Sequence, residues 1–142
     1  MNKYFLPFLF LIGAITLLTG CSSAIERIGV QVQLVKLEQQ TDGSLLASLQ
    51  FSNPNVNSLN VIRSTHQLAL NGKSLGVLAV VEPLGLPAQQ AITLTVAVKR
   101  SGGKSVVAGK SSYHLTSALT LSIYDTDENR FKTSSSGAVT VQ

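Results

Sequence analysis

The chain has 142 residues, with 11 Lys+Arg against 7 Asp+Glu, a formal charge of +4, one cysteine and no tryptophan. A single cysteine excludes an internal disulfide, and the lack of tryptophan implies an aliphatic core of Val, Leu and Ile with a few Phe and Tyr. The cations are scattered; only Lys99-Arg100, with Lys104 nearby, forms a cluster. That pattern excludes the dense basic stripe with interleaved aromatics that a nucleic-acid binder needs.

Residues 1–20 have the three parts of a secretory leader. Lys3 supplies the positive start, Tyr4 to Leu18 is almost wholly apolar, and small Gly20 closes it. The run is about 15 residues, short of the roughly 20 of a spanning helix, and Pro7 and Gly13 interrupt it further. Leu18-Thr19-Gly20-Cys21 resembles the lipobox of bacterial lipoproteins. The resemblance implies cleavage before Cys21 and a diacylglycerol on its sulfur. A retained anchor helix, or cleavage elsewhere with a free thiol, are the alternatives. Each buried methylene contributes about 0.8 kcal/mol, so several acyl chains hold a protein firmly at a bilayer. Ser22, where an Asp would resemble an inner-membrane signal, implies an outer-membrane lipoprotein facing the periplasm. Residues 21–28 then read as the lipidated Cys and a short tether of roughly 25 Å reach. Residues 29–142 are the size of one domain.

Along that domain the dominant period is two. Val30, Val32 and Leu34 alternate with Gln31, Gln33 and Val35; Leu45, Ala47, Leu49 and Phe51 with Leu46, Ser48 and Gln50. Leu68 and Leu70 repeat the pattern, as do Ile92 to Val98, Leu119 to Ile123, and Val139 with Val141. Asp42-Gly43 and Asn71-Gly72 are hairpin dipeptides, since both residues tolerate positive φ. Asn53-Pro54-Asn55, Pro83 to Pro87 and Ser101-Gly102-Gly103 mark longer loops. No helical stripe is sustained; a turn or two of helix fits only near Val106 to Ser111. About seven half-buried strands at this spacing predict an all-β, antiparallel β-sandwich.

The order of the motifs carries a resemblance. Phe51-Ser52-Asn53-Pro54-Asn55 closes a strand; Leu68-Ala69-Leu70-Asn71-Gly72 follows, then Leu86-Pro87-Ala88 and the strand Ile92 to Val98. With the closing segment Arg130-Phe131 to Val139, this resembles the late embryogenesis abundant type 2 family, also called the water-stress and hypersensitive-response (WHy) domain. The resemblance implies an immunoglobulin/fibronectin-III-like sandwich and a role in tolerance of drying or osmotic load. Physically, Pro54 fixes φ and moves Asn53 out of the α region, while the Asn side chains can bond nearby backbone. Asn53, Pro54 and Asn55 are expected to form a structural turn, with a contact surface as the alternative.

Other motifs are weaker. Gly72-Lys73-Ser74-Leu75-Gly76 matches G-x-S-x-G, but it follows a hairpin turn and enters a strand, where a nucleophile elbow needs a helix. Gly103-Lys104-Ser105 echoes a phosphate loop without its first glycine, since Val98 stands there. Asp125, Asp127 and Asn129 imitate the start of a calcium loop, but Arg130 replaces its glycine and Ser136 its closing Glu. A solvated acidic hairpin tip is the reading, with a weak divalent site as the alternative. His66 and His114 lie on separate strands, a poor zinc set, and are expected at surface or edge positions. No catalytic set, metal site or cofactor is expected. The expected partners are the membrane, through lipid on Cys21, and an envelope protein, with Leu84, Leu86 and Pro87 as an exposed apolar interaction loop. Nucleic acid is not expected as a partner. A carrier of a hydrophobic ligand held between the sheets is a further alternative.

Overall fold

The alternating segments become nine strands in the computed structural model, which describes residues 29–102, 106–123 and 127–142. The leader, Cys21, the tether, Gly103-Lys104-Ser105 and Asp125 lie outside the described residues. The strands are β1 (Gln31–Gln39), β2 (Leu45–Asn53), β3 (Leu59–Leu70), β4 (Lys73–Val80), β5 (Leu84–Leu86), β6 (Gln90–Ala97), β7 (Lys99–Arg100), β8 (Gly109–Ile123) and β9 (Asp127–Val141). Without the three-residue β5 and two-residue β7, seven remain, as the alternation predicts.

They form one sheet in the order β6-β2-β1-β9-β8-β3-β4-β7, with β5 beside β3. All pairs are antiparallel except β1 with β9, which run parallel and meet at Leu37 and Val141. The sheet curls until β4 and β5 touch β6, and the two halves close on a single aliphatic core. Phe51, Leu37, Leu49, Leu68, Leu78, Leu115 and Leu121 are fully enclosed there. This is a two-layered, all-β body of the immunoglobulin type. Burial of that apolar surface is its main source of stability, because no disulfide is available.

Two bulges reset the inward face. In β1 the ladder shifts between Leu34 and Lys36, so Leu34 and Leu37 both point inward and Val35 is left 46% exposed. In β3 it shifts between Val61 and Arg63. Leu59 and Val61 point inward before the shift, and Ser64, His66, Leu68 and Leu70 after it. Both hairpin dipeptides behave as their chemistry requires. Asn71 and Gly72 adopt φ of 48° and 75°, the two left-handed residues of a tight turn, and Ser44 N donates to Asp42 Oδ1 at 2.9 Å. The segment Val106 to Ser111 forms no helix. It is irregular to Ala108, and from Gly109 it pairs with β9, Ser111 opposite Val139. The long ladder to β9 satisfies its backbone better than an isolated helical turn can.

The pairings divide the body into two ends. The near end carries Gly29, where the described chain begins, together with the 53–58 turn and β5. The far end carries the β1–β2 and β3–β4 hairpins, β7 and the start of β8. β7 reaches β4 only because position 76 is glycine: a Cβ there would drive into the carbonyl oxygen of Lys99. Gly76→Ala is therefore expected to cost about 1–3 kcal/mol through overpacking. Urea unfolding measures it; a loss under 0.5 kcal/mol, against the ±0.5 of ordinary surface changes, would show that β7 does not need this contact.

Candidate functional site

At the near end the Asn-Pro-Asn turn and the Leu84–Pro87 segment, remote in sequence, are one construction. Asn53 ends β2 with its side chain turned inward, 1% exposed. Its Nδ2 donates to the carbonyls of Asn57 at 2.9 Å, Leu86 at 3.1 Å and Pro87 at 3.1 Å. Its Oδ1 accepts from the backbone N and the Nδ2 of Asn55, both at 3.0 Å. Two amide hydrogens thus serve three carbonyls, and both sides of the carboxamide are used. Asn55 O in turn accepts from Gln89 N at 3.0 Å, and Gln89 is held at φ 55°, a region that non-glycine residues seldom occupy. Beside the turn an open cleft of about 400 Å³ is lined by Gln31, Asn53, Pro54, Gln89 and Gln90.

The expected exposure holds for Pro87 and is corrected for Leu84 and Leu86. Leu86 is 1% exposed and belongs to the core; Leu84 is half-buried against it, and only Gly85 and Pro87 face solvent. The reason is β5, which pairs Leu86 with Leu59 and Leu84 with Val61 and so turns the leucines inward. The Pro-rich flanks signalled a loop and hid a three-residue strand.

His66 is likewise corrected from a surface or edge position: it is fully buried between the layers. Nε2 lies 2.8 Å from Ser64 Oγ, and Nδ1 lies 2.8 Å from Ser117 Oγ on the facing residue of β8. The Phe51 ring of the opposite layer meets the imidazole edge-on, at 5.6 Å and 75°. Burial holds its pKa down at about 4, so the ring is neutral at physiological pH. Sequence parity carried this signal, since His66 lies two and four residues before Leu68 and Leu70. The Ser–His–Ser arrangement has no carboxylate partner and no path to solvent, so it fills the core as a satisfied polar cluster.

His114 is exposed and bonds Ser136 Oγ at 2.7 Å, on the outer face. Ser74 lies exposed on β4 immediately after the hairpin, without a helix behind it. Asp127 and Asn129 lie on the β8–β9 ladder opposite Ile123 and Leu121, an extended pairing in place of a wrapped calcium loop. Among the described residues no three His, Cys, Asp or Glu side chains come together as a metal set. A row that the sequence did not reveal is Arg63, Thr120 and Arg130, on consecutive strands β3, β8 and β9. Arg63 Nε is 3.5 Å from Thr120 Oγ1. Arg63 is dozens of positions from the other two, and only the register brings the three side by side.

No family profile matches this chain, and no characterised protein matches it in sequence. Its fold does have solved counterparts. The chain is similar to the solution structure of AT1g01470 from Arabidopsis thaliana, with 18% identity, a TM-score of 0.56, and coverage of 81% of this chain and 85% of that one. It is also similar to the solution structure of At2g46140.1, described as a late embryogenesis abundant (LEA) protein, with 15% identity, a TM-score of 0.54, and coverage of 94% and 82%. At these identities the likeness is one of fold: the body is an LEA-like β-sandwich.

Two consequences are measurable. Asn53→Ala strands three carbonyls and one backbone N–H at the end of β2, and is expected to cost roughly 3 kcal/mol in urea unfolding. Pro54→Ala, which loses only φ restriction, should cost about 0.4–1 kcal/mol; equal losses would remove Asn53 from its central place. His66 binds a proton near pH 6.5 when unfolded and only near pH 4 when folded. Stability is therefore fully present above pH 6.5 and falls as pH drops towards 4, by on the order of 3 kcal/mol. Unfolding at pH 8, 6, 5 and 4 should show this slope, and His66→Leu should flatten it.

Proposed function

We propose that this protein is a non-catalytic envelope lipoprotein, anchored through Cys21, that takes part in desiccation or osmotic-stress tolerance. The observation that carries the reading is the outer face of β8 and β9. These 15-residue strands present Ser112, His114 and Thr116 beside Ser134, Ser136 and Thr140, all exposed. The face is broad, hydrated, rich in hydroxyls and nearly free of charge until Lys132, Lys110 and Arg130 at its margins. Such a surface offers replaceable hydrogen bonds to neighbouring macromolecules or headgroups as water is withdrawn. The LEA-like fold supports the same reading.

Among the described residues, the side chains that the sequence singled out for chemistry are held in structural roles or lack a catalytic setting. His66 with its two serines is sealed in the core, Asn53 is consumed by carbonyls, and Ser74 stands on a strand. That supports a binding or protective role over catalysis. The leader and lipobox-like segment support a lipid anchor at the outer membrane. A strain lacking the protein should survive drying and hyperosmotic shock less well than its parent. Complementation should require Cys21, with Cys21→Ala releasing the protein from the membrane fraction and failing to incorporate a fatty-acid analogue. Equal survival of the two strains would overturn the stress role, and unchanged fractionation of the variant would overturn the anchor.

A further inference from the structure

The cations of this chain look scattered in sequence, but the fold sorts them by end. At the far end stand Lys73 opening β4, Lys99 and Arg100 forming β7, and Lys110 near the start of β8. Lys73, Lys99 and Lys110 are exposed. The described carboxylate side chains there are Glu38, which is paired with Lys36, and Asp42. So four cations face one unpaired acid. At the near end the described positions balance, with Arg63, Arg130 and Lys132 accompanied by Glu82, Asp127 and Glu128.

Arg100 sharpens the asymmetry. Nη1 reaches the carbonyl of Gly43 at 3.4 Å, while Nε and Nη2 have no hydrogen-bond partner among the described residues. Both atoms are enclosed, so Arg100 adds unneutralised positive charge to this end without itself being a contact point for a partner. Next to these groups an open cleft of about 320 Å³ is lined by Leu70, Leu75, Val106 and Val107, with Lys73 at its rim. Val107 is 80% exposed, an apolar side chain without cover.

From this we infer that the far end is a docking surface for an acidic, extended segment of a partner protein, carrying an apolar or aromatic anchor that enters the cleft. Spacing excludes one small anion as the ligand. Lys110 on β8 and Lys99 on β7 are separated by β3 and β4, three strand spacings or about 14 Å across the sheet, and Lys99 is level with Thr116, further along β8 from Lys110, so the two ammonium groups are further apart still. A chain of carboxylates spans that distance. Position argues for a protein over a bilayer, because the far end lies opposite Gly29, where the described chain begins. The choice of a protein over a bilayer rests on the proposed anchor at Cys21, which would hold Gly29 and the near end at the membrane; the charge and the cleft of the far end are independent of the stress role.

The test uses the full chain in non-ionic detergent, with fluorescent polyglutamate and a glutamate–tyrosine copolymer read by anisotropy. Both should bind, more weakly as salt rises, and the copolymer more tightly than polyglutamate. The triple variant Lys73→Glu, Lys99→Glu, Lys110→Glu should weaken both by at least about tenfold. The near-end pair Arg63→Glu, Lys132→Glu should change them less than twofold. Val107→Asp should abolish the advantage of the copolymer. Circular dichroism checks that each variant is folded; if charge reversal unfolds the chain, the corresponding Lys→Ala triple replaces it. Equal losses from variants of the two ends would overturn the proposal. So would binding to phosphatidylglycerol vesicles through the far-end lysines while neither polymer binds.

Discussion

One carboxamide holds the near end together. Asn53 is an obligatory polar group in an aliphatic interior, and leaving it unpaired costs more than most single contacts in the protein return. The chain meets that demand by bringing Asn55, Asn57, Leu86 and Pro87 to it. As a result the end of β2, the turn that leaves it and the short β5 are fixed as one unit. β5 in turn seals the core beside Leu59 and Val61. A single side chain therefore links the motif Asn53-Pro54-Asn55 to a strand more than thirty residues later, and neither segment is free to act as an independent loop.

The interior contains a second polar group handled by the same rule. His66 sits between two hydroxyls and against the Phe51 edge, so a titratable ring is stored neutral in the middle of the sandwich. Both cases show how a chain without disulfides keeps its core specific. Apolar packing provides the stability, and a few saturated polar groups dictate which neighbours must be present.

The fold was legible where a single rule governed. The strict alternation from Leu45 to Phe51 reads directly as β2, and Asn71-Gly72 as the β3–β4 turn, because period and turn chemistry are local properties. Legibility failed where a nonlocal event intervened. The bulge in β1 leaves Val35 facing out, and the bulge in β3 puts Leu59 and Val61 on the same face as Ser64, His66 and Leu68; a bulge leaves no composition signature. Leu86 looked like a loop residue because the prolines on either side are stronger signals than three strand residues. The site followed the same division. The Asn53 turn was visible, while its reach to Leu86 was not, and the arrangement of cations appeared only once the register had placed β7 and β8 at one end.

The parallel contact between β1 and β9 carries a kinetic consequence. Leu37 and Val141 meet across almost the whole domain, whereas β8 and β9 are hairpin neighbours that find each other locally. Chain closure over such a distance is entropically slow, so the long hairpin can assemble early while the seam joining first and last strands forms late. Until that seam forms, β1 and β2 expose Leu34, Leu37 and Phe51 to any neighbour. A nascent chain of this topology benefits from being kept unfolded, or guarded by a chaperone, until its final strand is available.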